Sequence, residues 1–455
     1  MNYLSLCSTL LLLLASTVCT DPLAAQTPAQ KAAASAFVDA FAARNWDALR
    51  AIAHPDFQQK VTVEQLEKLL DDMESRAGKL QRHSFYSGEF NRSYANVVHR
   101  LHFKKDSIGL RIVVDSLNFV GGMWIEPIQK VYAFAPPPYA DSTRFFEETI
   151  SFGGEQALPG VITVPKGKGP FPAVVLVHGS GPQDRDQTVN GNKMFRDLAW
   201  GLASKGIMVL RYDKRTRVHG PKMNLLKLTV QEESIDDAVE GLRLLRGHSA
   251  ADTNRLILLG HSLGAALAPE IATQSGVTKG VVMLAPIARP LEVVISDQLR
   301  YIASQQDTLT EQESVKLHTE LQKAAQIADE SLGASRLLLG VPASYYYDMH
   351  KRDQKAYARA LGVPIFIARG EKDYQAPQME YVLWQDYLKD IPKVTFKTYR
   401  NCYHPFIETD AKPGPWNYTM EGHVTEELIN DLVRWCTSFS LDAADATQEK
   451  EYRVR

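Results

Sequence analysis

Cysteine is scarce in this sequence: four among 455 residues, and two of those, Cys7 and Cys19, lie in the first twenty. A disulfide framework of the kind that staples small secreted domains is therefore excluded. Charge of one sign is missing as well. With 51 Lys and Arg against 53 Asp and Glu, a formal net charge of −2, the chain has no global basic field for nucleic acid or anionic lipid, and no local basic cluster suggests one. Long apolar runs are absent too. The apolar core of "MNYLSLCSTLLLLLASTVCT", around Leu10 to Leu14, is too short to span a bilayer. No metal-ligand cluster, phosphate loop or nucleotide fingerprint is visible, so neither a metal nor a cofactor is expected.

What is present is the composition of a soluble globular enzyme, 45% hydrophobic and 23% charged, in a chain too long for one ordinary domain. Two domains are expected. Residues 1–25 read as an export signal cleaved after Ala25, because small residues in "PLAAQ" follow the short apolar core. The n-region lacks the usual Lys or Arg. Lipidation at Cys19 is the alternative, against which the bulk of Val18 counts. The expected location is periplasmic or secreted. After cleavage only Cys402 and Cys436 remain; they are expected as structural buried thiols, with a disulfide between them left open.

Residues 27–135 look unlike the rest. "AAASAFVDAFAARNWDALRAIA", Ala32 to Ala53, has apolar positions at helical spacing and Val63 to Met73 repeats the pattern, after which polar and apolar residues alternate as in a few antiparallel strands. This small α+β unit resembles the NTF2/cystatin-like domains that precede some bacterial hydrolases. A proline-stiffened linker, 136–144 within "AFAPPPYADST" and the residue after it, leads on. From 145 to 440 strand and helix signals alternate, beginning with a hairpin of "FFEETISF" and "LPGVITVP". That predicts an α/β class with a mostly parallel sheet and its site at the carboxyl ends of the strands. Only residues 290–361 lack strand signals. They read as helices that leave the sheet and return, a cap over the site.

The stretch "LILLGHSLGAALAPE" carries the sharpest signal. A serine hydroxyl needs a base to remove its proton and must stand clear of the backbone to be attacked by an acyl group. Gly-x-Ser-x-Gly between a strand and a helix achieves this with a strained turn, so Ser262 is the candidate nucleophile rather than a plain helix cap. The acid and base should follow in order at later strand ends. Asp373 follows "VPIFIARGEK" and His404 follows "KVTFKTYRNCY"; Glu371 and His423 are their rivals, expected at a loop and at a helix-capping region. Oxyanion donors are expected from the backbone N–H groups of Ser180, in "HGSGPQDRD", and Leu263, with His178 holding loop geometry. Asp184, Arg185 and Asp186 read as an ion-paired brace, and Arg211 and Asp213 in "LRYDKR" as structural partners. Tyr345 to Tyr347 read as packing.

"HGSGPQDRD", "LRYDKR", "LGHSLG", "APIARPLE", "RGEKDYQ", "YHPF" and "EGHVTEELINDLVRW", in that order, resemble the bacterial α/β-hydrolase carboxylesterases of the EstD type, over about Phe145 to Ser438. The resemblance implies a cofactor-free serine esterase for short-chain acyl esters, with Ser262 as nucleophile, Asp373 as acid and His404 as base. The departures are "TRVHGP" after "YDKR", with Gly220 displaced, and Tyr403 and Pro405 around His404; they bear on pocket shape more than on chemistry. A serine peptidase or amidase remains open, favoured if Asp348 or Asp353 offers a carboxylate to a free amine. So do an acyltransferase, a homodimer, and a binding module with an inactive hydrolase half. The expected partner is a small-molecule ester, with no nucleic acid and no membrane span.

Overall fold

Runs of β-branched and aliphatic residues with little polarity form strands only where both faces are covered. In this chain they do: six of the seven residues of Phe171–Val177 and all five of Gly280–Leu284 are buried. The computed structural model describes residues 28–90, 94–126, 134–306, 308–328 and 333–438. The export signal expected at 1–25, and Cys19 with it, lie outside the described residues.

The described chain forms two compact units, one ending by residue 126 and one beginning at 134. In the first, helices at Pro28–Ala42, Trp46–Ile52, Pro55–Lys60 and Val63–Ala77 precede strands β1 (Leu80–Phe90), β2 (Tyr94–Phe103), β3 (Ser107–Asp115) and β4 (Val120–Glu126), which pair antiparallel in chain order. Phe37, Phe41, Leu66 and Leu70 pack with Val97, Leu101, Leu110 and Ile112 in its core. The helical periodicity of Ala32 to Ala53 is interrupted. Arg44 takes a left-handed φ of 55°, and the Asn45 side chain accepts from the N–H of Ala48, so a new helix starts at Trp46.

In the second unit eight strands form one sheet: β5 (Phe145–Phe152), β6 (Leu158–Pro165), β7 (Phe171–Val177), β8 (Met208–Tyr212), β9 (Ala251–His261), β10 (Gly280–Leu284), β11 (Ile365–Gly370) and β12 (Val394–Tyr399). Their spatial order is β12-β11-β10-β9-β7-β8-β6-β5. The hairpin β5–β6 and the pair β6–β8 are antiparallel; the other pairs are parallel. Successive residues alternate between two cores. Val175, Leu258 and Met283 lie in one, and Val174, Ile257 and Val282 in the other. Helices Met194–Ser204, Asp236–Arg246, Leu263–Ser275, Gln378–Leu388 and 426–438 accompany the sheet. The result is an α/β-hydrolase fold. The chain reverses its direction of travel across the sheet after β8, crossing β7 to reach β9, and that crossing is where open α/β sheets bind ligands.

The linker is no free spacer. Phe134 lies edge-on to Trp200 with centroids 5.5 Å apart, and the Tyr139 hydroxyl donates to Val424 O at 2.7 Å. The excursion 290–361 contains helices Leu291–Ser304, Glu311–Ile327, Ala343–His350 and Gln354–Ala360. One correction is needed there. Leu337–Leu338 pairs antiparallel with Val341–Pro342 around Leu339 and Gly340, both at positive φ, a two-residue hairpin too short to leave a strand pattern in sequence.

A candidate active site at the carboxyl ends of the strands

The turn after β9 explains the two glycines of "GHSLG". A Cβ on Gly260 would lie 2.2 Å from Gly264 O, and one on Gly264 would lie 2.4 Å from His178 O. No side chain fits either place. Between them Ser262 is held at φ 56°, ψ −118°, a conformation that a non-glycine residue adopts only when its surroundings impose it. Its N–H is bound by Leu284 O at 2.8 Å. Leu263 opens the helix Leu263–Ser275, so its N–H is among the first-turn donors that have no partner within the helix.

Asp373 and His404, 31 residues apart, meet at the ends of β11 and β12. His404 Nδ1 is 2.7 Å from Asp373 Oδ2, and both residues are buried. The other carboxylate oxygen accepts from the N–H groups of Gln375 and Ala376 at 2.8 and 3.0 Å, which fixes the carboxylate's plane. The rivals are occupied elsewhere. Glu371 accepts from Asn401 N, and His423 faces Asp197 at 3.2 Å. His423 thus belongs with the helix Met194–Ser204 rather than to a cap of the helix at 426, because buried Asp197 needs a donor there and takes Val424 N as well.

Two histidines near Ser262 are buried and neutral. Burial, with the nearby Lys214 charge, pushes His178 down to about 3, and burial, with His404, holds His261 well below the usual histidine value. His178 Nε2 bonds Asp184 O at 3.0 Å across the loop it was expected to hold. His261 takes part in a longer chain. Gly179 N–H donates to Gln187 Oε1 at 3.0 Å, Gln187 Nε2 donates to His261 Nδ1 at 2.8 Å, and His261 Nε2 donates to His404 O at 3.1 Å. Gln187 lies in a polar loop with nothing local to distinguish it, and so escapes sequence reasoning.

The loop after β7 carries Ser180. Gly179 lies against the serine, where a Cβ would sit 3.2 Å from Ser262 Cβ. Residues at the end of β8 and just after it clamp this loop: Asp213 accepts from Arg185 N, Nε and the guanidinium terminus, Lys214 N–H donates to Gln183 O, and buried Arg211, in β8, pairs with Asp186 and Glu147. Arg211 and Asp213 are therefore structural, each with a partner from elsewhere rather than with one another.

The carboxylates considered for an amine substrate are committed. Asp348 holds Arg352 and accepts from Val230 N, and Asp353 caps its own helix through Ala356 N. Of the tyrosines, Tyr345, Tyr346 and Tyr347 are all buried. Among the described residues there is no group of three His, Cys, Asp or Glu that could hold a metal, and no helix long and apolar enough to cross a membrane. Cys402 and Cys436 are separate buried thiols.

Residues 170–410, just over half of the chain, match the family described as serine aminopeptidase, S33, and residues 34–123 match one described only as a protein of unknown function (DUF3887). Esterase EstD of Thermotoga maritima is 35% identical over 399 residues, covering 88% of this chain and 93% of the relative. Among solved structures, an esterase of Pyrococcus furiosus is 17% identical with a TM-score of 0.41, covering 60% of this chain and 91% of that one. Est1E of Butyrivibrio proteoclasticus is 13% identical with a TM-score of 0.42, covering 65% and 98%. The match over residues 170–410 and the extended likeness to EstD have one consequence: the chain belongs to the serine aminopeptidase S33 family of α/β-hydrolases, as an EstD-type serine hydrolase with an additional N-terminal domain.

Proposed function

We propose that the protein is a serine carboxylesterase acting on short-chain acyl esters through Ser262, Asp373 and His404. The observation that carries this reading is the buried 2.7 Å contact of His404 with Asp373, with the His404 main chain tied to His261, the residue before a serine held at positive φ. His404, oriented by Asp373, takes the proton of Ser262 Oγ as that oxygen bonds to the ester carbonyl carbon. The N–H groups of Ser180 and Leu263 hold the resulting oxyanion. As the intermediate collapses, the bond to the alcohol oxygen breaks and His404 returns the proton to that oxygen. Water then repeats the sequence on the acyl-enzyme, releasing the acid and restoring Ser262.

The short-chain preference is carried over from the family resemblance. An amine-anchored peptidase would need a carboxylate free for the substrate's ammonium, and the engagement of Asp348 and Asp353 counts against that use of them. Export belongs to the same proposal, and so does residence in the periplasm or outside the cell, tested by fractionating cells that express the full chain.

The deciding experiment is hydrolysis of p-nitrophenyl acetate, butyrate and octanoate by the purified protein beside Ser262→Ala. Turnover that falls with chain length and vanishes in the variant supports the proposal. Equal rates in the two proteins, or a preference for peptide amides, overturn it. Transfer of the acyl group to added alcohol in preference to water would make the protein an acyltransferase, and light scattering distinguishes a monomer from a homodimer.

A further inference from the structure

Lys214 is a buried cation that the reaction above does not use, 2% exposed at the end of β8. Its ammonium group donates to Gly179 O at 2.9 Å and pairs with buried Glu233 at 3.2 Å. Glu233 in turn accepts from Thr216 Oγ1 at 3.1 Å and from the Tyr345 hydroxyl at 2.6 Å, the tyrosine belonging to the cap helix Ala343–His350. A lysine taken out of water needs such partners, because an unpaired buried charge is strongly destabilising. The choice of Gly179 O as one of them has a consequence for the neighbouring residue. A trans peptide is planar, with its C=O and the following N–H pointing in opposite directions. Anchoring Gly179 O on Lys214 therefore points the N–H of Ser180 the opposite way, away from Lys214 within the same peptide plane, and Gly179 itself lies against Ser262. The positive charge at the carbonyl end also polarises the amide and strengthens its N–H as a donor.

We infer that Lys214 is a positioning residue for the oxyanion hole: it sets the Gly179–Ser180 peptide plane and polarises it, and its ion pair with Glu233 links that plane to the cap through Tyr345. This rests on the esterase reading and deepens it. The contribution belongs to the tetrahedral intermediate, where negative charge develops, and not to the bound ester. Loss of Lys214 therefore lowers kcat while leaving KM nearly unchanged.

The test compares the parent with Lys214→Met and with Lys214→Met/Glu233→Gln, in which no buried carboxylate is left without its partner. For each, kcat and KM are measured with p-nitrophenyl butyrate. Affinity is measured for a trifluoromethyl ketone that forms a hemiketal oxyanion on the serine, and thermal melting shows that each variant is folded. The expected result in both variants is a kcat lower by about 10- to 100-fold, somewhat short of the ~10²–10³ for losing a donor outright, with ketone affinity falling in parallel. KM stays within about two-fold. Parental kcat in the folded double variant overturns the inference, since the single variant's defect would then reflect only a stranded charge. A loss confined to KM, or a kcat loss with unchanged ketone affinity, overturns it as well. If Ser262→Ala is as active as the parent, the esterase reading itself has failed, an outcome separate from these.

Discussion

His261 donates from Nε2 to the main-chain oxygen of His404 at 3.1 Å, and the two imidazoles lie 4.5 Å apart between centroids. The residue preceding the candidate nucleophile is thus tied to the main chain of the candidate base, 143 positions later. Because His261 Nδ1 is held by Gln187, and Gln187 also holds Gly179 N, one chain of neutral hydrogen bonds spans the loop after β7, the serine turn and His404. Its members are buried, so each bond broken leaves a polar group without water to replace the partner.

The first prediction concerns that chain. Gln187→Leu keeps roughly the same volume but strands Gly179 N–H and His261 Nδ1. It should lower stability by about 1–3 kcal/mol for each group left unsatisfied. It should also lower kcat by about tenfold through a loosened base and loop. Urea unfolding and ester kinetics read the two effects; parental values for both would remove the chain from the account.

The second concerns the tautomer of His404. In Asp373→Asn the amide oxygen can keep the loop bonds to Gln375 N and Ala376 N, which leaves the amide NH₂ facing His404 Nδ1. The ring must then accept at Nδ1 and carry its proton on Nε2, which disables it as a base toward Ser262. Turnover should fall on the order of 10⁴ with little change in melting temperature. A drop of only a few-fold would place the acid elsewhere.

The third tests the elbow. An Ala at 264 would put its Cβ 2.4 Å from both His178 O and Val177 O, backbone atoms that cannot step aside singly. Gly264→Ala should cost about 1–3 kcal/mol or more, together with the activity. Full activity with an unchanged melting temperature would mean that the turn is looser than described.

The fourth is a pH dependence. The bond to Asp197 holds the His423 pKa above the ordinary value, while burial raises Asp197 despite the attraction of His423. A histidine whose folded value is raised contributes stability that is fully present below the unfolded value of about 6.5 and fades as pH rises through the folded value. The melting temperature of the parent should therefore exceed that of His423→Gln more at pH 6 than at pH 9. A gap that widens with pH would reverse the assignment.

The fifth concerns the thiols. Burial pushes Cys402 up to about 12 and Cys436 higher still, so neither presents a thiolate at neutral pH. Iodoacetamide at pH 8 should label neither in the native protein and both in guanidinium chloride, as peptide mass spectrometry would show. Labelling of the native protein would contradict the burial, and absence of labelling after unfolding without reductant would reveal a disulfide.

Much of the fold is legible because its signals are local. Apolar strands covered on both faces, the strand–turn–helix at "LILLGHSLGAALAPE" and the hairpin 145–165 each depend on residues close in sequence. The break at Arg44 and Asn45 shows the limit: the apolar spacing runs on from Ala32 to Ala53, yet a single left-handed residue and a side-chain cap divide the helix. Periodicity reports which face is apolar, not whether the axis is continuous.

Position in sequence also marks Ser262 as the candidate nucleophile and Asp373 and His404 as its partners, because the glycines have no room for a Cβ and strand ends deliver side chains to one edge of the sheet. Tertiary structure alone decides who pairs with whom. Asp213 goes to Arg185 rather than Arg211, His423 to Asp197 rather than a helix cap, and Asp348 to Arg352 rather than to a ligand. Gln187 and Lys214 acquire their places in the same way. The physical reason is that a buried polar group must find a hydrogen-bond partner wherever packing brings one, and that partner is set by distance in space, which composition and spacing along the chain do not encode.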